Sequence, residues 1–298
     1  DESWDGERLV WPPYAIGDVT TGALEAKQGR NIRNNYGAKM SMIDHHFGKL
    51  LDELDANDLW DTTAVIVCTD HGHYLGEERG GRDIWGKPSI PQFEPLGHTP
   101  LLIHWPGQPG GRTCDALTTN VDLFATIADT YGASIDHRTH GTSLVPLMTG
   151  ATTSIREWAI GGVYGNWVQI TDGVRKYARS SSGDNFPLSM WSNRWSTMPT
   201  HVSGYGELPM PDDRAVLDRM PGSTVPVIRQ PFRAGDMLPF WVGRHGTDDH
   251  HLYRLDVDPD EQENRAGDAL ELEMTDMLRT ALAEIDAPLE QLERLGIS

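Results

Sequence analysis

The stretch AVIVCTDHGHYLGEERGGRDIWGK, Ala64 to Lys87, decides the fold. Its first five residues, Ala64-Val65-Ile66-Val67-Cys68, form a continuous apolar run that is mostly β-branched. Strands covered on both faces, as in a parallel sheet, carry this pattern. The run stops at Thr69-Asp70-His71-Gly72, which predicts an acid and an imidazole side by side at the carboxyl end of a buried strand. In open α/β sheets ligands bind at that edge. Gly72 predicts a sharp turn, and a polar loop with Gly76, Gly80, Gly81 and Gly86 follows it.

Asp70 offers carboxylate oxygens and His71 a neutral imidazole nitrogen, a mixed oxygen/nitrogen pair suited to a divalent cation. Two ligands are only part of a site, because calcium takes six to eight and zinc usually four. Lys87 adds a mobile ammonium at the far end of the loop. A cation and an ammonium converging on one place suit a sulfate or phosphate ester. The same residues also fit a plain turn holding a satisfied histidine, and by themselves they leave both readings open.

A wider pattern surrounds this corner. It runs through Asn35-Tyr36-Gly37-Ala38-Lys39 to Ile43-Asp44, then Gly48-Lys49-Leu50-Leu51. Leu75-Gly76-Glu77, Gly86-Lys87, His98-Thr99-Pro100-Leu101-Leu102-Ile103 and Trp105-Pro106-Gly107 complete it. In order and spacing it resembles the second half of a sulfatase, and more broadly the alkaline-phosphatase-like superfamily of sulfatases, phosphonate monoester hydrolases and phosphodiesterases. The resemblance implies that Asp70 and His71 are paired metal ligands. It implies that Lys87 contacts the sulfate or the leaving oxygen, and it places His98 where many relatives carry a substrate-side Arg or His. Calcium is the implied metal, with manganese or zinc used by some relatives. The family's nucleophile is a formylglycine made from a Cys or Ser in a Cys/Ser-x-Pro/Ala-x-Arg motif. Neither Cys68 nor Cys114 has that context. The early Asp pair of the metal site is also missing, so the expectation is a carboxy-terminal part, with the formylglycine in upstream sequence.

Composition narrows the field. With 25 basic and 44 acidic residues the net charge is −19, which argues against a nucleic-acid partner. The acidic surface also repels an anionic substrate, so a site for one must be locally cationic. Hydrophobic residues make up 38% and charged residues 23%, an ordinary globular balance. Two cysteines make no disulfide framework. No apolar run is long enough for a membrane span. A soluble chain is expected, with cytoplasm and periplasm both open, and homo-oligomer formation is also left open.

Residues 1–30 read as an irregular, aromatic lead-in whose rings either pack over the sheet or line a substrate pocket. Lys27 to Leu54 has helical spacing, with Met40, Ile43, Phe47, Leu50, Leu51 and Leu54 on one face. Within it the neighbours His45 and His46 point about 100° apart and cannot easily share one ion. Pro100 to Trp105 predicts another buried strand. Asn120 to Tyr131 predicts a helix with Thr118 or Thr119 as N-cap and Val121, Phe124, Ala125, Ile127 and Ala128 buried. Gly141 to Leu147 resembles a family turn without a catalytic role.

From about residue 151 the texture becomes that of short strands: Trp158 to Tyr164, Trp167 to Thr171 and Arg175 to Arg179, with a tight turn at Asp172-Gly173. Residues 180–240 show no firm elements and read either as a lid or substrate-selecting loop, or as a surface excursion or oligomer contact. His251 to Asp256 predicts a last strand. His250 and His251 are assigned no metal, since strand neighbours alternate faces. Leu270, Met274, Met277, Leu278, Leu282 and Ile285 mark an amphipathic terminal helix.

The fold class expected is α/β, a mainly parallel sheet flanked by helices with a smaller carboxy-terminal antiparallel sheet and a covering helix. Residues 1–150 form the sulfatase-like domain with the metal and anion corner, and 151–298 the smaller subdomain. The implied function is hydrolysis of a small-molecule or carbohydrate sulfate ester. Two rivals stand beside it: hydrolysis of a phosphonate monoester or phosphodiester, and a non-catalytic anion-binding module.

Overall fold

A computed structural model describes residues 26–79, 82–87, 91–193, 211–236, 238 and 249–298. Most of the aromatic lead-in, through residue 25, lies outside them, as do Trp195, Asp248, Gly80 and Gly81. The chain divides into two compact units, Asp1–Pro88 with Gln92–Thr113, and Ser89–Pro91 with Cys114–Ser298. The expected boundary at 150/151 falls inside the second unit.

In the first unit α1 (Ala26–Ala56) is followed by β1 (Val65–Cys68), the hairpin β2 (Tyr74–Arg79) and β3 (Arg82–Gly86), the single turn α2 (Glu94–Gly97) and β4 (Leu101–His104). The helix forms where its spacing predicts, but Met40, Ile43 and Leu50 are about half exposed and only Leu54 of the expected stripe is buried. Periodicity reports which face of a helix is apolar. It does not report what covers that face.

β1 pairs antiparallel with β4, Val65 opposite His104 and Cys68 opposite Leu101. Among the described residues every ladder is antiparallel. The apolar run of β1 therefore does form a strand, but no parallel neighbour accompanies it there. Cys68 is exposed and Val67 is 36% exposed, so the expected two-sided burial is not met. Trp60 and His104 tie the connection after α1 to β4. Their rings meet edge-on at 4.8 Å, and the His104 Nε2 lies 2.9 Å from the Trp60 carbonyl.

The second unit begins with α3 (Asp122–Thr130) and the turn α4 (Val145–Met148). Here the buried face differs from the expected one. Asp122, Ala125, Thr126 and Ala128 are buried, whereas Val121, Phe124 and Ile127 are each about half exposed. The reason is polar. The Asp122 carboxylate accepts from the Thr119 and Thr142 N–H groups and pairs with Arg156. Thr126 Oγ1 donates to the Asp122 carbonyl and accepts from the Leu144 N–H. A buried carboxylate must be hydrogen-bonded, so its partners set the rotation of the helix. No threonine side chain caps α3.

Four strands follow as one antiparallel sheet in the order β11-β7-β6-β5: β5 (Ala159–Gly162), β6 (Val168–Thr171), β7 (Arg175–Arg179) and β11 (His251–Arg254). The Asp172-Gly173 hairpin is as predicted. Gly173 has φ +88°, and Asp172 Oδ1 accepts from the N–H groups of Val174 and Arg175. Helix α5 (Leu270–Glu284) covers this sheet. Met274, Leu278, Ala281 and Leu282 join Ile170, Tyr177 and Leu252 in one core, closed by Leu295 and Ile297 beyond α6 (Leu289–Arg294). Burying each large apolar side chain there contributes about 1.5–3 kcal/mol.

Residues 180–240, read as lacking elements, contain a second antiparallel sheet. It comprises β8 (Leu188–Ser192), β9 (Val216–Arg219) and β10 (Pro226–Phe232), in the order β8-β10-β9. The prolines that argue against strands are placed where they do no harm. Pro226 is the first residue of β10, and Pro231 lies beyond the end of the β9 ladder, opposite Ser189 alone.

Candidate active-site corner

The corner after β1 rests on a small core. Tyr74 is fully buried, with Ile84, Trp85, Phe93 and Leu96 almost so. Tyr74 Oη accepts the Phe93 N–H, and Arg33 of α1 lies over the Trp85 ring while donating to the Leu75 carbonyl. The β2–β3 hairpin brings Gly86 opposite Tyr74, and so returns Lys87 to the start of β2 beside His71. A bulge at Gly76 (φ +100°) makes room for Trp85, since a Cβ there would lie 2.6 Å from the indole. Gly72 is required by close approach. A Cβ would lie 1.9 Å from the Pro95 carbonyl oxygen, and the Gly72 N–H donates to Leu96 at 2.9 Å. The α2 turn thus clamps the backbone on which His71 sits.

The side chains converge. Lys87 Nζ lies 2.9 Å from His71 Nε2, and Asp70 Oδ2 lies 3.5 Å from the same nitrogen. His71 Nδ1 is 2.6 Å from the Gly72 carbonyl oxygen, which can only accept. Nδ1 therefore carries the proton, and in the neutral ring Nε2 presents a lone pair. An ammonium can only donate, so Lys87 fits that assignment. Asp70 Oδ1 accepts the His71 N–H, and Thr69 Oγ1 donates to the His71 carbonyl. The Asp70 side chain is 85% exposed, that of His71 34%. The Asp70 pKa is lowered, chiefly by the adjacent His71 ring, and the His71 N–H adds to the effect.

An oxygen and a nitrogen lone pair facing each other at 3.5 Å repel unless something positive lies between them. Two donors about 2.3–2.6 Å from one cation, at this separation, subtend roughly a right angle. The pair therefore fits two neighbouring positions around a divalent cation. Among the described residues no third His, Cys, Asp or Glu joins them.

His98, the remaining candidate, caps α2 and is paired with Glu94 through Nδ1 at 2.8 Å, largely exposed. Sequence reasoning passed over His73. Its ring stacks on Tyr36 of α1 at 5.5 Å, and its buried Nε2 has no hydrogen-bond partner. Burial, then the nearby His71, lowers its pKa. The available signal was the i, i+2 repeat of His71 and His73 around Gly72. Several other described histidines lie away from this corner in the sequence. His250 Nδ1 accepts the Ser180 N–H, His251 Nδ1 meets Tyr253 Oη at 2.9 Å, and His45 and His46 are exposed neighbours on α1. An apolar hollow of about 270 Å³ beside α3, lined by Phe124, Ile127 and Tyr131, contains none of the expected site residues.

Comparison with known proteins gives one consistent likeness. The sulfatase family profile matches residues 10–133. A choline-sulfatase of Rhizobium meliloti is 34% identical over 154 residues, covering 50% of this chain and 29% of the relative. The chain thus spans less than a third of that relative's length. A protein solved in complex with its substrate D-glucosamine-2-N,6-O-disulfate superposes with TM-score 0.60 at 18% identity, over 92% of this chain and 44% of that one. The phosphonate monoester hydrolase of Agrobacterium radiobacter gives TM-score 0.56 at 20% identity, over 89% and 43%. At such identities these structures speak for the fold, which is alkaline-phosphatase-like. It is through residues 10–133 that the chain is similar to the sulfatase family.

Proposed function

We propose that the chain supplies the metal- and anion-binding corner of a sulfate ester hydrolase. One observation carries this reading: at one strand end the Lys87 ammonium and the Asp70 carboxylate lie 2.9 Å and 3.5 Å from the same His71 Nε2. Asp70 and His71 hold a divalent cation, calcium in the first instance with manganese or zinc as alternatives. Such an ion, when bound, withdraws charge from the sulfate oxygens. Lys87 holds the ester's negative charge and steadies the departing oxygen through an N–H donor. His98, fixed by Glu94, completes the substrate side. The substrate is a small-molecule or carbohydrate sulfate ester, in keeping with the names of the relatives. The nucleophile is a formylglycine outside this sequence, since Cys68 and Cys114 both lack its motif.

Residues 1–150 are read as the sulfatase-like part and 151–298 as the smaller subdomain. The parallel sheet expected around β1 belongs to the same proposal, supported by the apolar character of Val65–Cys68 on both faces.

The test is calorimetric titration of inorganic sulfate and of phosphate into the chain with calcium present. Sulfate binding that falls about tenfold or more in Lys87→Ala supports the reading. Preference for phosphate moves it to the phosphonate and phosphodiester branch, and anion binding indifferent to Lys87 removes it.

A further inference from the structure

We propose that Lys87 and the divalent cation compete for one lone pair, His71 Nε2, so that the ammonium is the cation's internal stand-in. This rests on the metal-site reading of Asp70 and His71 and adds a linkage to it. The geometry leaves Nε2 a single lone pair, because the Gly72 carbonyl fixes the proton on Nδ1. Lys87 Nζ occupies that lone pair at 2.9 Å. A nitrogen lone pair serves one acceptor role at a time, so a cation that takes Nε2 must expel the ammonium.

Lys87 is free to leave. It is exposed and follows Gly86, whose φ is +77°. Its four-carbon stem swings at little cost. Once displaced it sits beside a newly charged centre that repels it and attracts anions. Cation binding therefore readies the lysine for the anionic group, and the cation-free corner keeps it engaged.

The consequence runs against the usual expectation for a site residue: removing Lys87 tightens cation binding. The experiment is calorimetric titration of calcium chloride into the metal-stripped 298-residue chain and its variants, without any anion that binds the site. Lys87→Met and Lys87→Gln are expected to bind calcium about tenfold more tightly than the parent, the scale of one charge-assisted hydrogen bond. Lys39→Met removes an equal charge from α1 and should change affinity by less than about twofold, given solvent screening. Asp70→Asn should weaken binding.

Calcium binding by the Lys87 variants where the parent shows none also supports the proposal. Equal or weaker binding by both Lys87 variants, with Asp70→Asn still weakened, overturns the competition and leaves the metal site standing. A gain in Lys39→Met as large as in Lys87→Met overturns it too, as a general field effect. Binding unaffected by Asp70→Asn, or no binding in any variant, removes the metal site and the competition with it.

Discussion

Gly72 shows how one residue holds the corner. It was read as a turn former, yet its indispensable property is the missing side chain, which lets the Pro95 carbonyl approach. Gly72→Ala must push apart two backbones, at a cost of about 1–3 kcal/mol. The expected result is a lower melting temperature together with weakened sulfate and calcium binding, measured on the same sample. A normal melting temperature with intact binding would show that the α2 clamp is dispensable. A second residue pair acts in the other unit. Lys176 Nζ lies 2.6 Å from Glu261 Oε1, both side chains almost wholly buried between β7 and the turn after β11. Lys176→Met should destabilise the chain by about 3 kcal/mol in a urea titration, because the carboxylate is left without its main counter-charge. The Lys176→Met/Glu261→Leu double variant should recover much of the loss. Neither residue stood out in the sequence, since a lone Lys and a lone Glu far apart in the chain carry no local signal.

Among the elements, β11 carries a pH dependence. Burial lowers the pKa of His250 and His251 below their ordinary value of 6.5. The unfolded chain therefore binds more protons than the folded one below about that pH. The stability associated with the neutral rings is complete above pH 6.5 and is lost as pH falls through the folded values. Thermal midpoints should drop between pH 7 and pH 5, and His251→Gln should flatten that slope. An unchanged slope would mean that His251 does not couple folding to protons. The same scale shows where local pattern succeeds and where it fails. The hairpin at Asp172-Gly173 and the α5 stripe were legible because turn chemistry and helical period are local. The rotation of α3 was not, because it follows from the distant partners Thr142 and Arg156 of one buried carboxylate. The β8-β10-β9 sheet was hidden by prolines whose harmlessness depends on which flank of the strand is open.

At the scale of the whole molecule, the proposed function sets a corner that takes an anion in a chain of net charge −19. On that proposal a cation and one ammonium supply the attraction locally, but neither is a nucleophile. The 298-residue chain should therefore show little or no hydrolysis of a generic aryl sulfate, even with calcium. Robust turnover would reveal a nucleophile within it and contradict the proposed division of labour. The order of motifs from Asn35 to Gly107 was enough, by itself, to bring out the resemblance to sulfatases and to nominate Asp70, His71 and Lys87 as candidates, because motif spacing survives without coordinates. Tertiary structure alone decided that Lys87 sits on the lone pair of His71, and that Gly72 is held against Pro95. It also decided which faces of α1 and α3 are covered. Those outcomes depend on contacts between residues remote in the chain. Periodicity along the chain records what each segment is made of, not what it meets.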